Sequence, residues 1–119
     1  EYHATSAHWV LAEIIERRAG EPWKGFLRRR VLDPMGLDEL FIGCPPEQQD
    51  RVADVKYMTP PVPPPGGFGE VTPEALLAFN QPEVRAAGVP GGGGVCSAAS
   101  LALFYQPLIR GGVTIDGER

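Results

Sequence analysis

Apolar residues recur every three to four positions along ATSAHWVLAEIIERRAGEPW, so that Ala7, Val10, Leu11, Ile14 and Ile15 share one face of a predicted helix. Thr5 or Ser6 can cap its start, and Glu13 stands four residues before Arg17 on the wet side. Gly20 closes the helix in the way a C-terminal glycine does. Pro22 then opens a second helix, where its missing N–H does no harm. Trp23, Phe26 and Leu27 face inward, with Val31 at the end, until Asp33-Pro34 breaks the pattern. At helical spacing among apolar neighbours, Trp9, Trp23 and Phe26 read as core packing. Met35, Leu37 and Leu40 bracket a tight turn at Gly36, Leu40-Phe41-Ile42 predicts a short strand, and alternation over residues 52–57 predicts another.

The periodicity then lapses. Residues 59–71, TPPVPPPGGFGEV, suit neither a regular helix nor a central strand, and read as an extended surface loop or a linker. Thr72-Pro73-Glu74 opens a short helix through about Phe79, and a second loop is expected from Asn80 to Gly94. A last helix runs from about Ala98 to Arg110, with Ala98, Leu101, Phe104, Tyr105 and Leu108 on one side. Pro107 should kink it, and Gly111-Gly112 stops it. The class expected is mainly α with short strands. Residues 1–119 read as a single partial domain: a helical pair after a tyrosine-bearing loop in 1–43, a loop-rich connection in 44–96, and a helix with its tail in 97–119.

Composition trims the functional classes. The net charge of −4 supplies no basic excess for a nucleic-acid groove, and Arg28, Arg29 and Arg30 read as a solvated helix face. No apolar run approaches the roughly 18 residues of a membrane span. Cys44 and Cys96 are either buried thiols or one disulfide. The chain begins at Glu1 without a methionine, so a piece of a longer polypeptide is expected.

The densest glycine run, GVPGGGGVCSAAS at residues 88–100, is a candidate for chemistry. It lacks the Gly-Lys pair of a phosphate-binding loop and does not fit GxGxxG, since Cys96 and Ser97 stand where the last glycine would be. Ser97 is not in GxSxG, and no histidine is tied to it by sequence. Ser97 instead precedes an apolar periodic run, as a helix N-cap does, while the glycines let the backbone pass close to a neighbour. His3 and His8 are five apart, which does not align two ligands on one helix face, so no metal site and no cofactor are expected. Asp38, Glu39 and Glu47 near turns read as solvated carboxylates.

Taken whole, EYHATSAHWVLAEIIERRAGEPWKGFLRRRVLDPMGLDELFIG resembles the serine β-lactamase-like superfamily of class C β-lactamases, DD-peptidases and related esterases. Tyr2, LAEIIERRAG, VLDPMGL and LFIG follow that family's order, and GVPGGGGVCSAASLALFYQPLIRGG resembles its later GxGGxxSTAxDLAxFxxxLLxGG stretch. The resemblance implies the helical region of an α/β β-lactamase/transpeptidase-like fold, and a parent that hydrolyses a small-molecule ester or amide through an acyl-enzyme. It also implies that Tyr2 is the tyrosine of the Tyr-x-Asn motif, relaying a proton to a serine. Ala4 stands in place of the asparagine, which suits an esterase-like member better than a β-lactam-hydrolysing one. Neither Lys24 nor Lys56 has a serine three residues before it, so Ser-x-x-Lys is absent and these residues alone are expected to be inactive. The rival reading from the residues is a non-enzymatic helical module whose polyproline loop, Pro60 to Pro65, meets a partner, or a β-lactamase-like protein that binds without hydrolysing.

Overall fold

The computed structural model describes His3 and residues 6–69 and 71–113. Helix α1 spans Ser6–Ala19, and α2 spans Trp23–Leu27 and continues as a wider π-helical turn over Arg28–Leu32. A short strand, β1, covers Leu40–Ile42, followed by a 3-10 segment at Pro46–Arg51. Three helices and a strand complete the order: α3 at Pro73–Leu77, extended by a 3-10 turn at Ala78–Asn80; α4 at Pro82–Ala87; β2 at Gly94–Cys96; and α5 at Ala98–Ile109. The mainly helical class with short strands is the class expected.

The core lies where the widened turn meets the strand pair. Leu32, Leu37 and Leu40 form its buried cluster, with Val31, Met35, Ile42 and Phe104 packed around them. The wide turn arises as the Asp33 N–H reaches back five residues to the Arg28 carbonyl, 2.8 Å away, just before Pro34 ends the helix. Arg28 is more than a solvated face. Its guanidinium donates to the carbonyls of Leu37 and Leu40, each at 3.2 Å, and pairs with Asp33 at 2.6 Å, tying the turn to β1. Arg29 pairs with Glu21.

Helix α1 differs from its expected packing. Ala12 is its buried residue, and Ile15 is half-buried, whereas Val10, Leu11 and Ile14 are 50–60% exposed. Trp23 is buried as expected, but Trp9 is half exposed. The reason is geometric. The Glu16 carboxylate accepts from the Trp23 N–H at 3.0 Å, which turns the Ala12–Glu16 side of α1 toward α2 and leaves the apolar stripe open. Glu13 and Arg17 do pair on the wet side, at 2.7 Å.

Two further expectations are corrected. Residues 52–57 form no strand, and the second strand is β2, which begins at Gly94, the last residue of the expected loop. Val55 is extended, but its backbone partner is a side chain: Asn80 Oδ1 accepts from its N–H at 2.7 Å and Asn80 Nδ2 donates to its carbonyl at 2.9 Å. A carboxamide thus supplies the two bonds a neighbouring strand would have made. Helix α4 also lies inside the expected loop, with Pro82 in its first turn and Gly88 left-handed at its end. The stretch before α3 matches expectation: residues 58–67 are exposed, with a turn closed by the Gly67 N–H on the Pro64 carbonyl at 2.9 Å.

Candidate functional site

Strands β1 and β2 pair antiparallel, with Leu40 opposite Cys96, Phe41 opposite Val95 and Ile42 opposite Gly94. Side chains alternate along a strand. Leu40 and Ile42 join the core, which leaves Phe41 and Val95 for the other face. That face is one wall of a cleft of about 620 Å³. Val52, Ala53, Val55, Leu76 and Phe79 line it as well, and Gly92–Gly94 line the gap beside Phe79. The glycines keep the gap open, since a β-carbon at Gly92 would already lie 3.2 Å from the Phe79 ring.

The neighbour that the glycine run approaches is protein. A β-carbon at Gly91 would strike the His8 ring, and one at Gly93 would strike the Val89 backbone. Ser97 plays the capping part its position predicts. Its Oγ accepts from the Ser100 N–H at 3.1 Å and is hydrogen-bonded to the Ser100 hydroxyl, also at 3.1 Å. Ser97→Ala is therefore expected to destabilise α5 by about 1 kcal/mol, read as a lower urea midpoint with unchanged slope.

Charge in the cleft is held in pairs. Glu39 accepts from Arg51 Nη2 at 2.6 Å, and Arg85 Nη2 meets Asp54 at 2.8 Å while its Nε donates to the Phe79 carbonyl. The hydrogen bond from Arg51, then its charge and a bond from Ser97, hold the Glu39 carboxyl below its ordinary value. A depressed folded-state value means stability present above the unfolded pKa and lost as pH falls through the folded one. Melting temperature should therefore fall more between about pH 5 and pH 3 in the natural chain than in Glu39→Gln, as differential scanning fluorimetry would show.

The two cysteines part company, with no disulfide between them. Cys44 is fully buried, and burial pushes its thiol up, which keeps it protonated and unreactive at neutral pH. Cys96 is exposed, contrary to the buried-thiol reading. Tyr2, the one catalytic residue implied by resemblance, lies outside the described residues, as do Ala4 and Thr5. Lys24 has a structural task, its ammonium donating to the Ala87 carbonyl at 3.0 Å.

Sequence reasoning missed the cleft because its walls come from four separated stretches. The Asn80–Val55 clasp and the Glu39–Arg51 pair join residues 25 and 12 apart, with no periodic signal between them. Helix α4 did leave a signal, a proline in its first turn and a glycine just past its end. Among the described residues no helix is long and apolar enough to cross a membrane. Compared with known proteins, residues 1–118 match a family model described as beta-lactamase. No curated protein and no solved structure gives a match.

Proposed function

The chain belongs to the beta-lactamase family, and from that premise we propose that its residues serve a serine acyl-transfer enzyme acting on an ester or amide. The serine hydroxyl adds to the substrate carbonyl carbon while its proton passes to the Tyr2 phenolate. The tetrahedral adduct collapses, the leaving group departs with the proton, and water then hydrolyses the acyl-enzyme. Serine and a neighbouring lysine would come from a Ser-x-x-Lys segment, which these 119 residues do not contain. Without that pair the reading supplies no activated nucleophile, so the 119-residue chain alone is expected not to turn over substrate.

The observation that carries the reading is the family match across residues 1–118. The open apolar stripe of α1 supports it, because Val10, Leu11 and Ile14 form the kind of surface that a sheet covers. The test is covalent labelling. The 119-residue chain, incubated with a fluorescent penicillin and an activated ester, should acquire no adduct by intact mass. The polypeptide encoded by the whole reading frame should acquire one at the serine of Ser-x-x-Lys. An adduct on any serine of the short chain, or a reading frame without Ser-x-x-Lys, overturns the reading.

One observation favours a second reading, a binding module. The extended segment around Pro60 to Pro65 is exposed, with Met58 and Val62 more than four-fifths accessible. A single cooperative melt of the short chain, together with no adduct on the longer product, would favour that module over the enzyme.

A further inference from the structure

The cleft between the strand pair and the Leu76–Phe79 turn has a lining that restricts what can enter. We propose that it takes an uncharged aryl or alkyl group of a small molecule. At about 620 Å³ it falls within the range of roughly 300–1,000 Å³ typical of small-molecule sites. Phe41, Val52, Val55, Leu76, Phe79 and Val95 make its walls predominantly apolar.

The charged groups on its rim are already matched. Arg51 is neutralised by Glu39 and Arg85 by Asp54, and Arg85 lends a further N–H to the Phe79 carbonyl. Both ends of the Asn80 carboxamide are taken by Val55. An entering anion would have to break a pair and strand a carboxylate. An entering cation would have to do the same to a guanidinium. A neutral apolar group breaks nothing and removes apolar wall from water, which is favourable at about 25 cal/mol per Å². The charge balance of the rim and the apolar walls thus select the same ligand class. The glycines contribute by omission, since any side chain at Gly92 would press on the Phe79 ring and close the gap.

Because it concerns binding alone, the inference stands or falls separately from the acyl-transfer reading. The probes are 1-naphthol and 1-naphthalenesulfonate, which share a ring system and differ in charge, titrated into the 119-residue chain with calorimetric or fluorescence detection. Saturable binding of 1-naphthol at one site, at least tenfold tighter than the sulfonate, is expected. Leu76→Asp places a carboxylate on the wall at a residue already exposed, so the fold is retained. It should weaken 1-naphthol at least tenfold with no change in melting temperature. Gly92→Val, which fills the gap without a left-handed backbone to strain, should also weaken 1-naphthol at least tenfold. Equal or tighter binding of the sulfonate would show the arginines to be the recognition groups and overturn the proposal. So would the absence of saturable binding, or 1-naphthol binding unaffected by either substitution in a folded chain.

Discussion

Gly88→Ala is expected to destabilise this chain by about 2–5 kcal/mol, more than any other single methyl addition to the described glycines. Two costs combine at this position. Gly88 ends α4 with φ +64°, a left-handed conformation that costs a residue bearing a β-carbon roughly 1–2 kcal/mol. Its β-carbon would also strike the backbone of Ile42 and Gly43, and overpacking of that kind typically costs about 1–3 kcal/mol. Gly43 mirrors the arrangement: its own φ is +91°, and a β-carbon there would sit 2.7 Å from the Ala86 carbonyl oxygen. Two glycines therefore face each other where the exit of β1 crosses the end of α4.

That crossing is held by bonds which a displaced backbone would lose. The Cys44 N–H donates to the Arg85 carbonyl at 2.7 Å, and Lys24 reaches the Ala87 carbonyl. Urea unfolding followed by far-ultraviolet circular dichroism would measure the effect. Gly94→Ala is the matched control, since nothing lies within 4 Å of its β-carbon position and its φ is not left-handed. Its effect should stay within about 1 kcal/mol. A Gly88→Ala midpoint no lower than that of Gly94→Ala would show that the two chain segments do not cross in this way.

The Gly43–Gly88 crossing also marks where sequence reading stops. Gly20, Pro22, Asp33-Pro34 and Ser97 were readable because capping and helix breaking are decided within a few residues of the chain. Strand β1 was readable from three consecutive apolar residues before a glycine, and the resemblance of the first and last stretches led to the family that residues 1–118 match. Strand β2 was not, because Val95 has a glycine on one side and its partner Phe41 lies 54 positions away. The alternation of residues 52–57 is genuine, but it met a carboxamide rather than a strand. The stripe on α1 shows the opposite failure. Its periodicity gives the helix correctly and the buried side wrongly, since burial depends on which neighbour is present and period does not. Of the candidate site, the glycine run was visible as a feature and its role as the open side of a cleft was not, because that role depends on Phe41, Leu76 and Phe79 arriving from elsewhere.

Tyr2→Phe should lower kcat by 10²- to 10⁴-fold in the serine-bearing polypeptide of which these residues are proposed to be part, the usual worth of a positioned proton relay. The substitution removes one hydroxyl and keeps the ring, so loss of packing does not explain a loss of that size. An ordinary tyrosine titrates near 10, too high to be ionised at neutral pH. The relay requires cations close by to stabilise the phenolate, and the lysine of Ser-x-x-Lys is the group proposed to do so. A specific pH signature follows. In the proposed parent enzyme the acylation rate should fall as pH drops and the phenolate that would act as base is progressively protonated. In Tyr2→Phe that limb should vanish, leaving a low and flatter profile, while KM for a p-nitrophenyl ester changes by less than about threefold, since the role proposed for the hydroxyl is proton transfer rather than substrate binding. Stopped-flow measurement of the p-nitrophenolate burst separates acylation from deacylation and shows which step slows. A Tyr2→Phe enzyme with an undiminished burst and an intact acid limb would remove Tyr2 from the chemistry and leave the serine to be activated by another group.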